Sequence, residues 1–460
     1  MKIGFDNEKY QSIQSEHIKE RISQFDGKLY LELGGKLFDD HHASRVLPGF
    51  QPDSKLRMFQ KISDSIEIVI VISAADIEKN KTRADLGITY DEDVLRLRGE
   101  FQNLGFMVGS VVITHFNGQP AAEAFRQRLE RDGIPTFCHY LIDGYPHNVS
   151  LIASDEVFGK NDYVKTTRPL VIVTAPGPGS GKMAVCLSQL YNENKHGVRA
   201  GYAKFETFPV WNLPLKHPVN IAYEAATADL NDVNMIDPFH LEAYGKTAIN
   251  YNRDIEIFPV LNALFEGIYG ANPYKSPTDM GVNMAGNCIV DDEVCREASR
   301  QEIIRRYYQS LNRMVKDEAT KQEVYTLELL MKQAKVSVND RRVVTVAKQV
   351  AEERQCAVIA LELEDGSIVT GKTTDLLGPA SAVLLNAIKA LGNIADEMHL
   401  ISPTYINPIQ NLKTKFLGSS NPRLHMDEVL IALSMCAATD SLAKLALEKL
   451  PELKGCQAHS

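Results

Sequence analysis

Residues 169–190 read PLVIVTAPGPGSGKMAVCLSQL, and this stretch decides the fold of the first part of the chain. The apolar run from Pro169 to Ala175 suits a strand buried on both faces. Glycines interrupt it at once. A helix is then expected from near Gly181, with Met183, Cys186, Leu187 and Leu190 on one stripe at 3.6-residue spacing. A strand that turns sharply into a helix through glycines is a ready anion site. The backbone can approach closely, the first N–H groups of the helix are free, and the helix N-terminus is partly positive. Gly177, Gly179, Ser180, Gly181 and Lys182 are therefore the phosphate-binding candidates, with Lys182 supplying a point charge.

Two templates fit this loop incompletely. In the Walker A pattern G-x-x-x-x-G-K-[ST], Pro176 stands at the first glycine and Met183 at the Mg²⁺-binding hydroxyl. ATP or GTP is the expected ligand class, and the missing hydroxyl leaves a Mg²⁺ requirement open, with Ser180 as the candidate substitute. The dinucleotide fingerprint G-x-G-x-x-G/A is met by Gly179, Gly181 and Ala184. Glu206, near the end of the next expected strand (200–205), would then meet a ribose hydroxyl.

Outward from this stretch, strands and helices alternate. Ile66 to Ser73 (IEIVIVIS), Val108 to Thr114 and Thr136 to Ile142 read as strands, and Asp91 to Leu104 and Ala121 to Arg131 as helices. Such alternation predicts a mainly parallel α/β sheet, Rossmann-like or P-loop-like. The segment from Pro209 to Met284 is rich in Pro, Asn, Asp and Tyr and reads as long loops, a plausible substrate region. Asp291 to Lys335 reads as two helices broken near Lys316-Asp317. From Val336 the pattern restarts with a helix, a hairpin turning at Asp365-Gly366, and a helix after Gly378-Pro379. A short strand at His399 to Ile401 and a closing helix or helix pair from Met426 to Leu450 follow. Three regions are expected: 1–165, with the Asp39 to Arg45 cluster; 166–335, with the phosphate loop and a helical segment; and 336–460, a smaller α/β domain.

Asp39-Asp40-His41-His42, followed by Arg45, is the densest polar group of the chain. Two carboxylates and two imidazoles can trade protons or ligate a metal, and Arg45 can grip a phosphate. Adjacent residues rarely all point into one site, so no metal is assigned. The Lys275 to Asn283 loop can close over a ligand, with Lys275 on an anion and Asp279 as a base. His139, Asp143, Tyr145 and His147, around a turn at Asp143-Gly144, read as structural. There is no H-E-x-x-H and no G-x-S-x-G, so a zincin protease and a nucleophile elbow are unsupported.

The stretches LGGKLFDDHHASRVLPGF (33–50), TAPGPGSGKM (174–183) and SPTDMGVN (276–283) resemble an uncharacterised bacterial family catalogued as domain of unknown function 1846. The resemblance spans nearly the whole chain. It implies a bacterial cytosolic protein of no established activity. Some members are described as ATP-dependent peptidases, a label that no motif here supports. The tail from Val336 is also similar in element order to the cytidine-deaminase-like fold: helix, hairpin, helix, strand, helix. Zinc deaminases need H-x-E and P-C-x-x-C, and this chain has no Cys-x-x-Cys, so the likeness reaches the fold alone.

Bulk properties set the remaining bounds. A length of 460 residues implies more than one core. A net charge of −9 gives no reason to expect nucleic acid as a partner. The longest apolar runs, such as Val429 to Ala438, fall short of the roughly 20 residues that span a membrane. Met1 to Gln24 has no signal-peptide character, and the seven scattered cysteines suit a reducing compartment. The expectation is a cytoplasmic enzyme, phosphotransferase or hydrolase, whose partner is a nucleotide or phosphorylated small molecule; a homo-oligomer is compatible with it. The alternatives are a nicotinamide-dependent oxidoreductase and a phosphorylated-metabolite sensor or scaffold without turnover.

Overall fold

The structure is a computed structural model that describes residues 2–460 except Gly35, Lys36, Asp39, Ala84, Asp85 and Asp143. It divides into two compact units, Lys2–Lys335 and Val336–Ser460. Among the described residues no helix is long and apolar enough to cross a membrane.

The first unit is built on six parallel strands: β1 Leu29–Leu33, β2 Ile66–Ser73, β3 Met107–Phe116, β4 Thr136–Tyr140, β5 Leu170–Thr174 and β6 Gly201–Phe205. Their order is β4-β3-β2-β5-β1-β6, and every neighbouring pair is parallel. β1, β2 and β5 are buried at every residue, which is why they read as unbroken apolar runs rather than as alternating ones. Side-chain alternation divides them between two cores. Ile68, Ile70 and Ile72 pack with Phe59 and Phe101 on one face. Val69 and Val71 pack with Leu187, Leu190 and Phe265 on the other. At about 1.5–3 kcal/mol for each fully buried aliphatic side chain, these two layers are the main stabilising term of the unit.

β5 lies between β1 and β2, although it follows both in sequence. The segments on either side of the expected boundary at 165/166 therefore form one sheet and one unit, because hydrogen bonds join β5 to strands from the earlier segment on both edges. From β2 the chain winds toward β3 and β4, and from β5 it winds the other way to β6. That reversal opens a crevice at the carboxyl ends of β2 and β5.

The segment expected to be long loops is ordered structure. It contains the helices Pro218–Ala226, Pro238–Tyr244 and Asn252–Tyr269 and a two-stranded antiparallel ribbon, β7 Asn234–Ile236 with β8 Ile249–Tyr251. Pro218 and Pro238 occupy first turns, where a missing N–H costs nothing, and His217 and Asp237 cap them through their side chains. Residues read as loop formers are thus helix starts. The helices Asp292–Val315 and Lys321–Ala334 follow, capped by Asp291 and Thr320.

The second unit holds the helix Arg342–Arg354, the antiparallel hairpin β9 Val358–Glu362 and β10 Ile368–Lys372, and the helix Pro379–Leu391. Three helices and a strand close it: Pro403–Asn411, Met426–Ala437, Ser441–Glu448 and β11 Gln457–His459, which pairs antiparallel with β9. No strand forms at His399 to Ile401. Leu400 and Ile401 are apolar because they enter the helical core beside Leu433, so the helix–hairpin–helix–strand–helix order is not the order formed.

One half-buried carboxylate makes stability depend on pH. Glu224, on the helix Pro218–Ala226, is pushed up to about 7 by burial, and the N–H of Asn234, 3.2 Å away, opposes this only in part. The folded carboxyl binds its proton more tightly than the unfolded one. Its contribution is therefore full below about pH 4.5 and is lost as pH rises through 7. Between pH 5 and pH 8 the unfolding free energy should fall by roughly 2–3 kcal/mol from this group. Urea unfolding of Glu224→Gln should lack that portion of the slope; an unchanged slope would refute the assignment.

Candidate functional site

Gly177 to Lys182 joins the carboxyl end of β5 to the helix Lys182–Lys195. Gly179 and Gly181 have φ of 74° and 85°, the left-handed region that glycine enters without strain. At Gly177 a Cβ would lie 2.3 Å from the hydroxyl of Tyr90, so only glycine fits. Thr114, at the end of β3, donates its hydroxyl to the carbonyl of Ser180 at 2.6 Å and anchors the loop. The helix starts on Gly181 with no side-chain cap, so its first N–H groups are available to a ligand. Lys182 is half-buried and pairs with no carboxylate among the described residues. The Ser180 hydroxyl oxygen is buried and unpartnered among the described residues, so it is not offered to a metal at the mouth. Lys81, paired with Asp76 at 3.2 Å, sits 4.9 Å from the ring centroid of Tyr90. No motif marks Tyr90, Lys81 and Thr114, because they converge on the loop from a helix start, a connection and a strand.

On the other side of β1 stands a charged cluster. β5 and β6 flank β1, so the glycine loop and Glu206, just after β6, are two strand spacings apart, about 10 Å. Glu206 lies over Gly34, where a Cβ would fall 2.2 Å from its Cγ. Lys204 Nζ reaches both oxygens of Asp254 at 2.8 and 2.9 Å and Glu206 Oε1 at 3.4 Å, and also contacts the Tyr251 hydroxyl. Tyr251 donates to Glu206 Oε2 at 2.7 Å. Beneath them Tyr202 donates to Glu32 at 2.7 Å. Burial opposes the charge of Lys204, but Asp254 and Glu206 outweigh it and hold the ammonium above its usual range. Burial raises the carboxyl of Glu206, Lys204 pulls it back, and Asp254 pushes it up again, with a net upward shift.

This cluster opens on a cavity of about 260 Å³, which Trp211, the only tryptophan, His240, Arg21 and Asp279 also line. Asp279 and Asn283 come from the loop that the sequence singled out. The loop is fixed because Val282 donates to the carbonyl of Lys204 on the edge strand β6, and Asn283 donates to the carbonyl of Thr207. The Asp279 carboxylate accepts from Tyr244 at 2.8 Å and from the Lys275 N–H at 3.0 Å. Lys275 itself is exposed, its ammonium over the Tyr244 ring, and does not line this cavity.

The Asp39 to Arg45 cluster does not form one site. Asp39 lies outside the described residues. Asp40 caps the helix His41–Val46 and pairs at 2.9 Å with the buried Lys55. Burial raises its carboxyl, and Lys55 more than reverses this, holding it low. His41 is exposed, whereas His42 turns inward against Phe208, with ring centroids 5.0 Å apart. Arg45 is exposed beside Arg305 and Arg306, which surround Glu302. Successive residues on a short helix point about 100° apart, which sends Asp40 to Lys55 and His41 to solvent, whereas His42, its Nδ1 3.6 Å from Glu302 Oε1, and Arg45 both face Glu302. Among the described residues no three His, Cys, Asp or Glu side chains group as metal ligands. Of the turn at 143–147, Asp143 lies outside the described residues, and His139 is buried and lowered to about 4 by that burial.

Fold and site together define a wound parallel α/β unit with a glycine loop at its carboxyl edge, followed by a smaller α/β unit. Residues 3–335 match the family described as Domain of unknown function DUF1846, N-terminal, and residues 339–460 match Domain of unknown function DUF1846, C-terminal. The chain belongs to this family. It is 58% identical over 459 residues to UPF0371 protein SUB1165 of Streptococcus uberis, covering 100% of this chain and 93% of the relative. UPF0371 protein SpyM50764 of Streptococcus pyogenes serotype M5 is 58% identical over 458 residues with the same coverage. Neither name states an activity.

The geometry separates a structural carboxylate from an exposed cation. Asp40→Ala leaves Lys55 buried and unpaired and should cost about 3–5 kcal/mol in urea unfolding, whereas Arg45→Ala should change stability little. Equal effects of the two substitutions would contradict this division.

Proposed function

We propose that this protein is an enzyme acting on a phosphorylated small molecule, with a nucleotide such as ATP or GTP the reading closest to the loop chemistry. The observation that carries it is the glycine loop at the crevice between β2 and β5, opening an uncapped 14-residue helix beside Lys182. Free N–H groups, the helix N-terminus and an unpaired ammonium are what a phosphate requires. The loop is P-loop-like in strand–turn–helix order but has Met183 at the hydroxyl position. Lys182 therefore carries more of the charge compensation than a metal ion does.

The group that reacts would lie across Gly34, in the cavity beside Glu206. Burial and the neighbouring Asp254 raise the Glu206 carboxyl above its usual range, the direction that favours a proton donor. The Lys204–Asp254 pair would hold Glu206 in place and stabilise charge that develops near it. Asp279 and His240 supply further polar contacts on the same cavity.

The nicotinamide reading is less well supported. β1 stands between β5 and β6, so Glu206 is not on the strand next to the glycine loop, and both its oxygens already have partners. A ribose-binding carboxylate needs free acceptors on the adjoining strand.

Thermal unfolding with ATP, GTP, NAD, NADP and inorganic phosphate, with and without Mg²⁺, tests the proposal. A phosphorylated ligand should raise the melting temperature by mass action. Lys182→Ala should weaken that ligand at least tenfold, about 1.4 kcal/mol, without lowering the melting temperature of the free protein. Glu206→Gln should keep the shift and lower turnover by roughly 10²-fold or more. No shift with any ligand, or an equal shift in Lys182→Ala, would overturn the phosphate site. A retained shift without turnover would favour a sensor.

A further inference from the structure

We propose that the unit Val336–Ser460 carries a binding site of its own, for an amphipathic anion: an aliphatic chain ending in a carboxylate or phosphate. A cavity of about 530 Å³ lies between the helix Arg342–Arg354, β10 and the helix Pro379–Leu391, within the range of small-molecule sites. Its floor is apolar. Leu400, Ile401 and Leu424 are buried beneath it, and Leu385 and Ile406 form its sides. Its charged lining is one-sided: Arg354, Lys372 and Lys389 against the single acid Glu353.

That bias runs against the composition around it, because acidic residues outnumber basic ones in this unit. Among the described residues Arg354 and Lys372 pair with no carboxylate, and Lys389 donates only to the backbone carbonyl of Asp396 at 2.8 Å. Three cations around an apolar floor match a ligand with a negative head and a hydrocarbon body. The stems of Arg and Lys add apolar wall while their heads stay at the mouth.

A small molecule fits better than an added peptide strand. β10 is an edge strand, but the Thr370 carbonyl is taken by Asn386 Nδ2 at 2.9 Å. At Gly371 a Cβ would lie 2.0 Å from the backbone nitrogen of Val383, so the helix Pro379–Leu391 already presses on the strand. The Thr374 carbonyl is taken by Arg423 at 2.7 Å. The edge of β10 is thus partly covered, which disfavours strand addition, a mode that depends on main-chain hydrogen bonds.

The test is isothermal titration of the full chain with decanoate, decyl phosphate, butyrate and decyltrimethylammonium, each below its micellar concentration. Decanoate or decyl phosphate should bind at least tenfold tighter than butyrate, because six more methylenes reach the floor, and at least tenfold tighter than the cationic amphiphile. The stronger of the two anions identifies the head group. Arg354→Glu with Lys372→Glu, both at exposed positions, should weaken that anion at least tenfold with the melting temperature unchanged. Equal binding of decyltrimethylammonium, undiminished binding to the double variant, or no binding of either decyl anion would overturn the proposal.

Discussion

The hydrogen bonding of β5 between β1 and β2 is the constraint on which the first unit depends. A strand that arrives late in the sequence and enters the centre of a parallel sheet forces the crossovers on its two sides to wind in opposite directions. The loops after β2 and β5 then part, and the carboxyl edge of the sheet is left open where they do. The glycine loop sits at that opening because β5 ends there. Its left-handed glycines and the close contact of Gly177 with Tyr90 follow from the turn that a helix crossing back over the sheet requires.

The same insertion sets the relation between the loop and the charged cluster. Gly34, at the end of β1, is the divider, and its lack of a side chain lets Glu206 lie across the strand end. Around Glu206 a single ammonium, Lys204, serves Asp254 and Glu206 together. Desolvating two carboxylates beside one cation is unfavourable, and burial together with Asp254 raises the Glu206 carboxyl against the pull of Lys204. The acid at this position gives the cavity its chemical character.

The two units differ in how charge meets apolar surface. In the first, buried charges are matched by partners inside the fold, as Lys55 is by Asp40 at the cap of the helix His41–Val46. In the second, cations stand unpaired at the mouth of an apolar cavity. The first arrangement stores its polarity inside the fold, and the second turns it outward to whatever enters.

The periodicity of the chain by itself determined most elements of the parallel sheet and the hairpin. Ile66 to Ser73 and Leu170 to Thr174 are strands because β-branched runs buried on both faces have few alternatives. The glycine loop was legible for the same local reason, since φ and close approach are properties of single residues. The sequence also pointed to Asp279 and Glu206 but not to their meeting in one cavity with Trp211 and Lys204. It misread 209–284 as loop because proline at a helix start and proline in a loop look alike without the cap geometry. Only tertiary structure decided that Asp40 turns to Lys55 and His41 to solvent while His42 and Arg45 face Glu302, and that the third strand of the second unit is β11. Strand order and the direction of a side chain are set by contacts between residues far apart in the chain, and local pattern carries no record of them.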